Sequence, residues 1–147
     1  MILLIKKFNF QVFISYLGIF PFFLVMIDIL TFNIFNKDVL KDFIFFYTLL
    51  IFVFIGAIRW DLVKISNIYQ IFFGFFPSLL SSFLILFYLI NHNINFVFIL
   101  LISLLNIQLL GDFIFSKYYL LEKIFFFQVR LPITTIITFI LFYLISV

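Results

Sequence analysis

Cysteine is absent from the 147 residues, and histidine occurs once, at His92. Without cysteine the chain has no disulfide, no thiolate nucleophile and no cysteine metal site. A single histidine excludes every metal site that needs two or more of them. The sequence carries no cofactor motif and no nucleophile–base pair. We therefore expect no metal, no cofactor and no catalytic residue.

Charge is also scarce, at 10% of residues, while 67% are hydrophobic. An ordinary soluble domain carries about 25% charged and roughly 45–50% apolar residues. A chain of this length has too much surface for a soluble core to absorb that excess. The composition therefore predicts a protein whose solvent is the lipid bilayer. The net charge of +3 comes with no basic stripe or arm, so nucleic acid is not an expected partner.

Long apolar runs recur along the chain, separated by short polar turns rich in asparagine. About 20 apolar residues are enough for a helix to cross a ~30 Å hydrocarbon core. Five runs reach that length: 10–32, 43–62, 71–90, 96–115 and 125–147. The first is too long for a signal-peptide core and is expected to be retained. The sequence predicts an all-α integral membrane protein, a bundle of five transmembrane helices forming one membrane domain over 1–147.

The basic residues are divided unequally between the two ends of the predicted bundle. Seven lie at one end: Lys6, Lys7, Arg59, Lys64, Lys117, Lys123 and Arg130. Two lie at the other, Lys37 and Lys41. Since short cytoplasmic loops carry the excess of Lys and Arg, we expect the N-terminus inside and the C-terminus outside.

Ionisable residues at membrane depth are functional candidates, because burying a charge in lipid is costly. Four of them fall at the inner ends of three predicted helices: Arg59, Asp61, Asp112 and Arg130. Asp28 is a secondary candidate near the outer end of the first helix. Such a cluster is consistent with binding an anionic head group, an ion or a partner loop. It is also consistent with ion pairs and snorkelling side chains that only fix helix assembly.

Two polar stripes extend this cluster along the helices. Arg130, Thr134 and Thr138 follow one another at intervals of four, and Gln108 precedes Asp112 by the same interval. Residues four apart share a helix face, so these stripes should face protein or water. Two interpretations stay open, hydrogen bonding between helices and a conduction path.

Small residues and prolines predict where helices pack. Gly74, Ser78 and Ser82 form a small-xxx-small row, which lets backbones approach closely. Pro21 and Pro77 each follow a glycine by three residues, Gly18 and Gly74. Because proline removes a backbone hydrogen bond and kinks a helix, we expect neighbouring helices to cover both kinks.

Several of these stretches resemble one family of small membrane proteins. The stretches are Ser15-Tyr-Leu-Gly-Ile-Phe-Pro-Phe22, the segment from Tyr47 through Phe54-Ile-Gly-Ala-Ile-Arg-Trp60, Gly74…Pro77, Asp112 and Arg130-Leu-Pro132. Together they resemble the proteins grouped with transmembrane protein 69, although Ala57 and Asp61 stand where that pattern has glycine. The resemblance makes Gly56 a packing residue and implies a bacterial inner membrane or, alternatively, a mitochondrial inner membrane. It implies no activity, since the family is a domain of unknown function.

The function expected from these observations is non-enzymatic interaction, as an assembly or accessory subunit of a membrane complex. The expected partners are the bilayer and other membrane subunits. A small transporter or ion-coupled carrier that uses the inner charged cluster is the alternative. A lipid-modifying enzyme is a further alternative, which would need His92 or the aspartates to act without a metal.

Overall fold

A computed structural model describes residues 10, 12–57, 68–116 and 120–147. Over these residues the chain is helical and contains no strand. Five helices in this part are long and apolar enough to cross a membrane. We number them α1 (Val12–Phe32), α2 (Lys37–Ala57), α3 (Ile68–Asn91), α4 (Ile94–Ser116) and α5, which runs through Leu120–Phe125, Phe126–Arg130 and Leu131–Ser146.

Helix α2 begins at Lys37, six residues before the apolar run that predicted it. Its first turns carry Lys37, Asp38, Lys41 and Asp42, which hydropathy assigns to a loop. The side-chain oxygen of Asn36 accepts the Asp38 backbone N–H at 2.9 Å, an N-cap that starts the helix ahead of its apolar part. The predicted span 43–62 is therefore wrong at its start, and its end lies outside the described residues.

Helices α2, α4 and α5 form the centre of the bundle, with α1 packed on α2 and α5 and with α3 packed on α2 and α4. Their fully buried side chains include Phe45 and Phe52 of α2, Phe98 and Leu101 of α4, and Leu141 of α5. Large apolar side chains on the outer surfaces remain exposed, as expected of helices that face lipid.

Proline interrupts α1 at the predicted position. Residues 18 and 19 form a turn between two helical segments, and the Phe22 N–H bonds the Ile19 carbonyl at 3.0 Å. The Gly18 carbonyl accepts the Tyr47 hydroxyl of α2 at 2.9 Å. The expectation that a neighbouring helix covers this kink is therefore confirmed. Pro77, by contrast, lies inside a continuous α3.

The predicted packing row on α3 is wrong at its outer end. Gly74 is buried, but Ser78 is half-buried and Ser82 is exposed. The buried face instead runs through Gly74, Pro77, Ser81 and Leu84. A helix has 3.6 residues per turn, so a strict interval of four drifts around the helix, while alternating steps of three and four stay on one face.

Gly56 of α2 packs closely against Gly74 of α3. A Cβ at Gly56 would lie 2.7 Å from the Gly74 carbonyl oxygen and 2.7 Å from Cγ of Pro77. Only a residue without a side chain fits there. Gly56 and Gly74 therefore act as packing residues.

Candidate functional site

Asp112 and Arg130 form an ion pair between α4 and α5. Arg130 donates from Nε to Asp112 Oδ2 at 2.6 Å and also from Nη2 to the same oxygen. The two residues are 5% and 8% exposed. Since an isolated buried charge is very costly, each side chain makes the burial of the other tolerable.

A π-helical segment brings Arg130 to this position. Phe126–Arg130 is a π turn inside α5, closed by a hydrogen bond from the Leu131 N–H to the Phe126 carbonyl. Such a turn inserts one extra residue and changes the direction in which the following side chains point. Arg130 is its last residue, directly before the apolar part of α5.

Pro132 explains a second contact at this point. Proline has no N–H, so it cannot bond the carbonyl four residues earlier, which is that of Gln128. The Tyr16 hydroxyl of α1 donates to this carbonyl at 2.6 Å. Tyr16 therefore ties α1 to the segment that carries Arg130.

The two predicted polar stripes face the interior of the bundle. Gln108 and Thr134 are 4% and 2% exposed. The Gln108 amide donates from Nε2 to the Phe52 carbonyl of α2 at 3.4 Å. Within the described ranges, three buried side-chain atoms have no hydrogen-bond partner: Ser81 Oγ, Gln108 Oε1 and Thr138 Oγ1.

Two members of the predicted cluster, Arg59 and Asp61, lie outside the described residues. The structure brings together the other two, Asp112 and Arg130. Whether this pair has a functional role stays a prediction.

A cleft of about 460 Å³ lies beside the ion pair, between α1, α2 and α5. Its walls are apolar, and Arg130 takes part in them. Sequence reasoning did not find this cleft, because the residues around it belong to three separate apolar runs. The lining residues used below are Ile14, Leu50, Phe54, Phe125, Arg130 and Ile133.

Asp28 has a local structural role at the other end of the bundle. It is 8% exposed, and its carboxylate accepts the backbone N–H groups of Ile34 and Phe35 at 3.2 and 3.3 Å. Asn33, with φ 48°, gives the left-handed turn that brings these groups back to it. Asp28 is far along α1 from Tyr16, whose hydroxyl bonds the Gln128 carbonyl, and it does not join the ion pair.

Sequence reasoning also missed a polar contact between α2 and α3. The Tyr88 hydroxyl donates to Asp42 Oδ1, and the Tyr88 ring lies 5.1 Å from that of Phe45. Asp42 looked like a loop residue, so nothing indicated a partner for it.

Compared with known proteins, the chain matches no family model, no curated protein and no solved structure.

Proposed function

We propose that this chain spans an inner membrane five times and acts by interaction, as an assembly or accessory subunit of a membrane complex. The observation that carries the proposal is the position of Asn106. It lies near the middle of α4, between Ile94 and Ser116, and its side chain is exposed on the outside of the bundle. Ser103, three residues earlier, is exposed as well.

An amide at that depth is unfavourable against lipid. Asn106 donates from Nδ2 to the Ile102 carbonyl of its own helix at 2.8 Å. Burying a polar group without full hydrogen bonding costs roughly 1–3 kcal/mol on protein scales. Asparagine and serine on membrane helices commonly bond across to another helix. A partner helix over this face of α4 would give Asn106 the contact that lipid cannot.

The absence of cysteine makes this face testable by single-cysteine crosslinking in native membranes. We expect Asn106→Cys, treated with a bifunctional thiol–photoreactive probe, to give one discrete protein adduct. Phe139→Cys, 75% exposed on α5, is the control and should label without a discrete adduct. Co-purification in mild detergent should retain the same partner in stoichiometric amount, and Asn106→Leu should lose it.

An adduct of twice the chain mass would identify the partner as a second copy. Equal, diffuse labelling at positions 106 and 139, together with unchanged co-purification for Asn106→Leu, would contradict the proposal.

A small transporter is the second candidate. It is favoured by Ser81 Oγ, Gln108 Oε1 and Thr138 Oγ1, which come from three helices and lack partners among the described residues. Unpaired buried polar atoms often bind water or an ion. Ion flux into proteoliposomes measures this activity. A lower flux for Gln108→Leu than for the wild type, with folding retained, would favour the transporter.

The resemblance to transmembrane protein 69 remains part of the proposal, together with the bacterial inner membrane and its mitochondrial alternative. Neither adds an activity.

A further inference from the structure

The cleft between α1, α2 and α5 opens on the outer surface of the bundle. Two of the residues around it, Leu50 and Phe54, are 67% and 68% exposed. Ile14 of α1 is exposed at the same opening. If these helices cross a bilayer, as proposed above, the cleft opens on acyl chains.

The size of the cleft suits a small, elongated ligand. Its lining on α5 runs from Phe125 to Ile133, eight steps or about 12 Å at 1.5 Å per residue. The cleft has about 460 Å³, within the range of pockets that bind small molecules. Its apolar walls require a ligand that is mostly apolar.

The charge at the end of the bundle that carries Arg130 indicates which polar group the ligand should have. Arg130, which is paired with Asp112, is the charged residue of the cleft wall, so the excess positive charge beside the cleft comes from the exposed Lys123. Lys123 lies two residues before Phe125, on the same helix and toward the same end. In the sequence this end carries seven basic residues against three acidic ones, Asp61, Asp112 and Glu122. An anionic head group is complementary to such a surface, and Arg binds phosphate and carboxylate particularly well.

We propose that the cleft binds an anionic phospholipid, with one acyl chain between α1, α2 and α5 and the head group toward Arg130 and Lys123. This inference depends on the proposed membrane location but not on the proposed protein partner, which concerns the face of α4 that carries Asn106.

The test is lipid retention by the full chain, measured by native mass spectrometry after purification in detergent. The protein is supplied with equal mole fractions of phosphatidylglycerol and phosphatidylcholine. We expect the protein to retain one phosphatidylglycerol and to prefer it about fivefold over phosphatidylcholine. One basic residue near a membrane surface raises the affinity for an anionic lipid by about that factor. Leu50→Trp narrows the cleft and should reduce retention to the level of a nonspecific lipid.

Leu86→Trp is the matched control, because Leu86 is 56% exposed on α3 and does not line the cleft. It should retain lipid as the wild type does. Leu50→Phe replaces the tryptophan variant if that variant does not fold. Inorganic phosphate should not displace the lipid, because the acyl chain contributes to binding.

Equal retention of the two lipids, or equal loss in both tryptophan variants, would overturn the proposal. So would displacement by phosphate alone, which identifies a free anion, or a protein adduct in place of lipid. If the lipid test fails but Asn106→Cys still gives its discrete protein adduct, the proposed interaction function stands. The failures of the two proposals are therefore distinguishable.

Discussion

Arg130 directs both Nε and Nη2 at Oδ2 of Asp112, and this ion pair links α5 to α4. The contact is also the point where the cleft, the π turn and the two polar stripes meet. Breaking it affects each of these features.

Removing one partner of this ion pair should be strongly destabilising. We expect Asp112→Ala to lower the free energy of unfolding by about 3–5 kcal/mol, because Arg130 stays buried without its acceptor. The double variant Asp112→Leu with Arg130→Leu should be closer to the wild type, since neither charge of the buried pair remains. Equilibrium unfolding in mixed micelles measures both. The exposed Asp38→Asn is the control, and a loss of the same size there would contradict the explanation.

The close approach of α2 and α3 should not tolerate even one methyl group. Gly56→Ala places its Cβ against the Gly74 carbonyl and Pro77, so the helices must separate. We expect a loss of about 1–3 kcal/mol, the usual cost of overpacking. Thermal unfolding in one detergent measures it. The neighbouring exposed Ala57→Leu should change stability by less than about 0.5 kcal/mol.

The corrected packing face of α3 separates two adjacent serines. Ser81 is 5% exposed, whereas Ser82 faces outward. Ser81→Leu should therefore destabilise by about 1–3 kcal/mol through overpacking. Ser82→Leu should leave stability within about 0.5 kcal/mol of the wild type. The same unfolding assay compares the two variants. A larger loss of stability in Ser82→Leu than in Ser81→Leu would support the row of Gly74, Ser78 and Ser82 as the packing face.

The Tyr47 hydroxyl should stabilise the fold through its hydrogen bond to the Gly18 carbonyl. Tyr47→Phe leaves this carbonyl at the α1 kink without its partner, at a cost of about 1 kcal/mol given the partial exposure of the contact. Tyr143→Phe, another half-buried tyrosine, is the control. Thermal unfolding would count against this role if the two variants lost equal stability.

The distribution of basic residues predicts opposite sides for the two termini. A reporter active only in the cytoplasm should be active at the N-terminus and inactive at the C-terminus. Replacing the two outer basic residues by Lys37→Glu and Lys41→Glu should leave this result unchanged, because it increases the excess of basic residues at the inner end. An active C-terminal reporter would exclude both the helix number and the orientation.

Much of the architecture follows from the sequence. Five runs of about 20 apolar residues indicate five helices, because a lipid-exposed backbone must satisfy its hydrogen bonds within the helix. The intervals of four in Gln108–Asp112 and Arg130–Thr134 indicate which polar side chains face the interior. Pro21 indicates a kink, and the cost of an exposed carbonyl indicates that another helix must cover it.

The sequence does not indicate which face of an apolar helix is buried. In a soluble helix, polar residues identify the outer face, but in lipid both faces are apolar and the sequence loses that signal. For this reason Ser81 and Ser82 could not be distinguished, and the outward position of Asn106 was not expected. Helix ends were misjudged for a related reason, since Asn36 starts α2 through a cap and not through hydropathy.

Composition and periodicity thus determined a helical architecture over the described residues, with five helices long and apolar enough to cross a membrane, because these properties depend on each segment alone. The pairing of Asp112 with Arg130 and of Tyr88 with Asp42, and the cleft beside Arg130, were decided only by the tertiary structure. Each depends on how far helices from distant segments rotate and slide against one another. Those rotations are fixed by close contacts such as Gly56 against Gly74, which no single segment encodes.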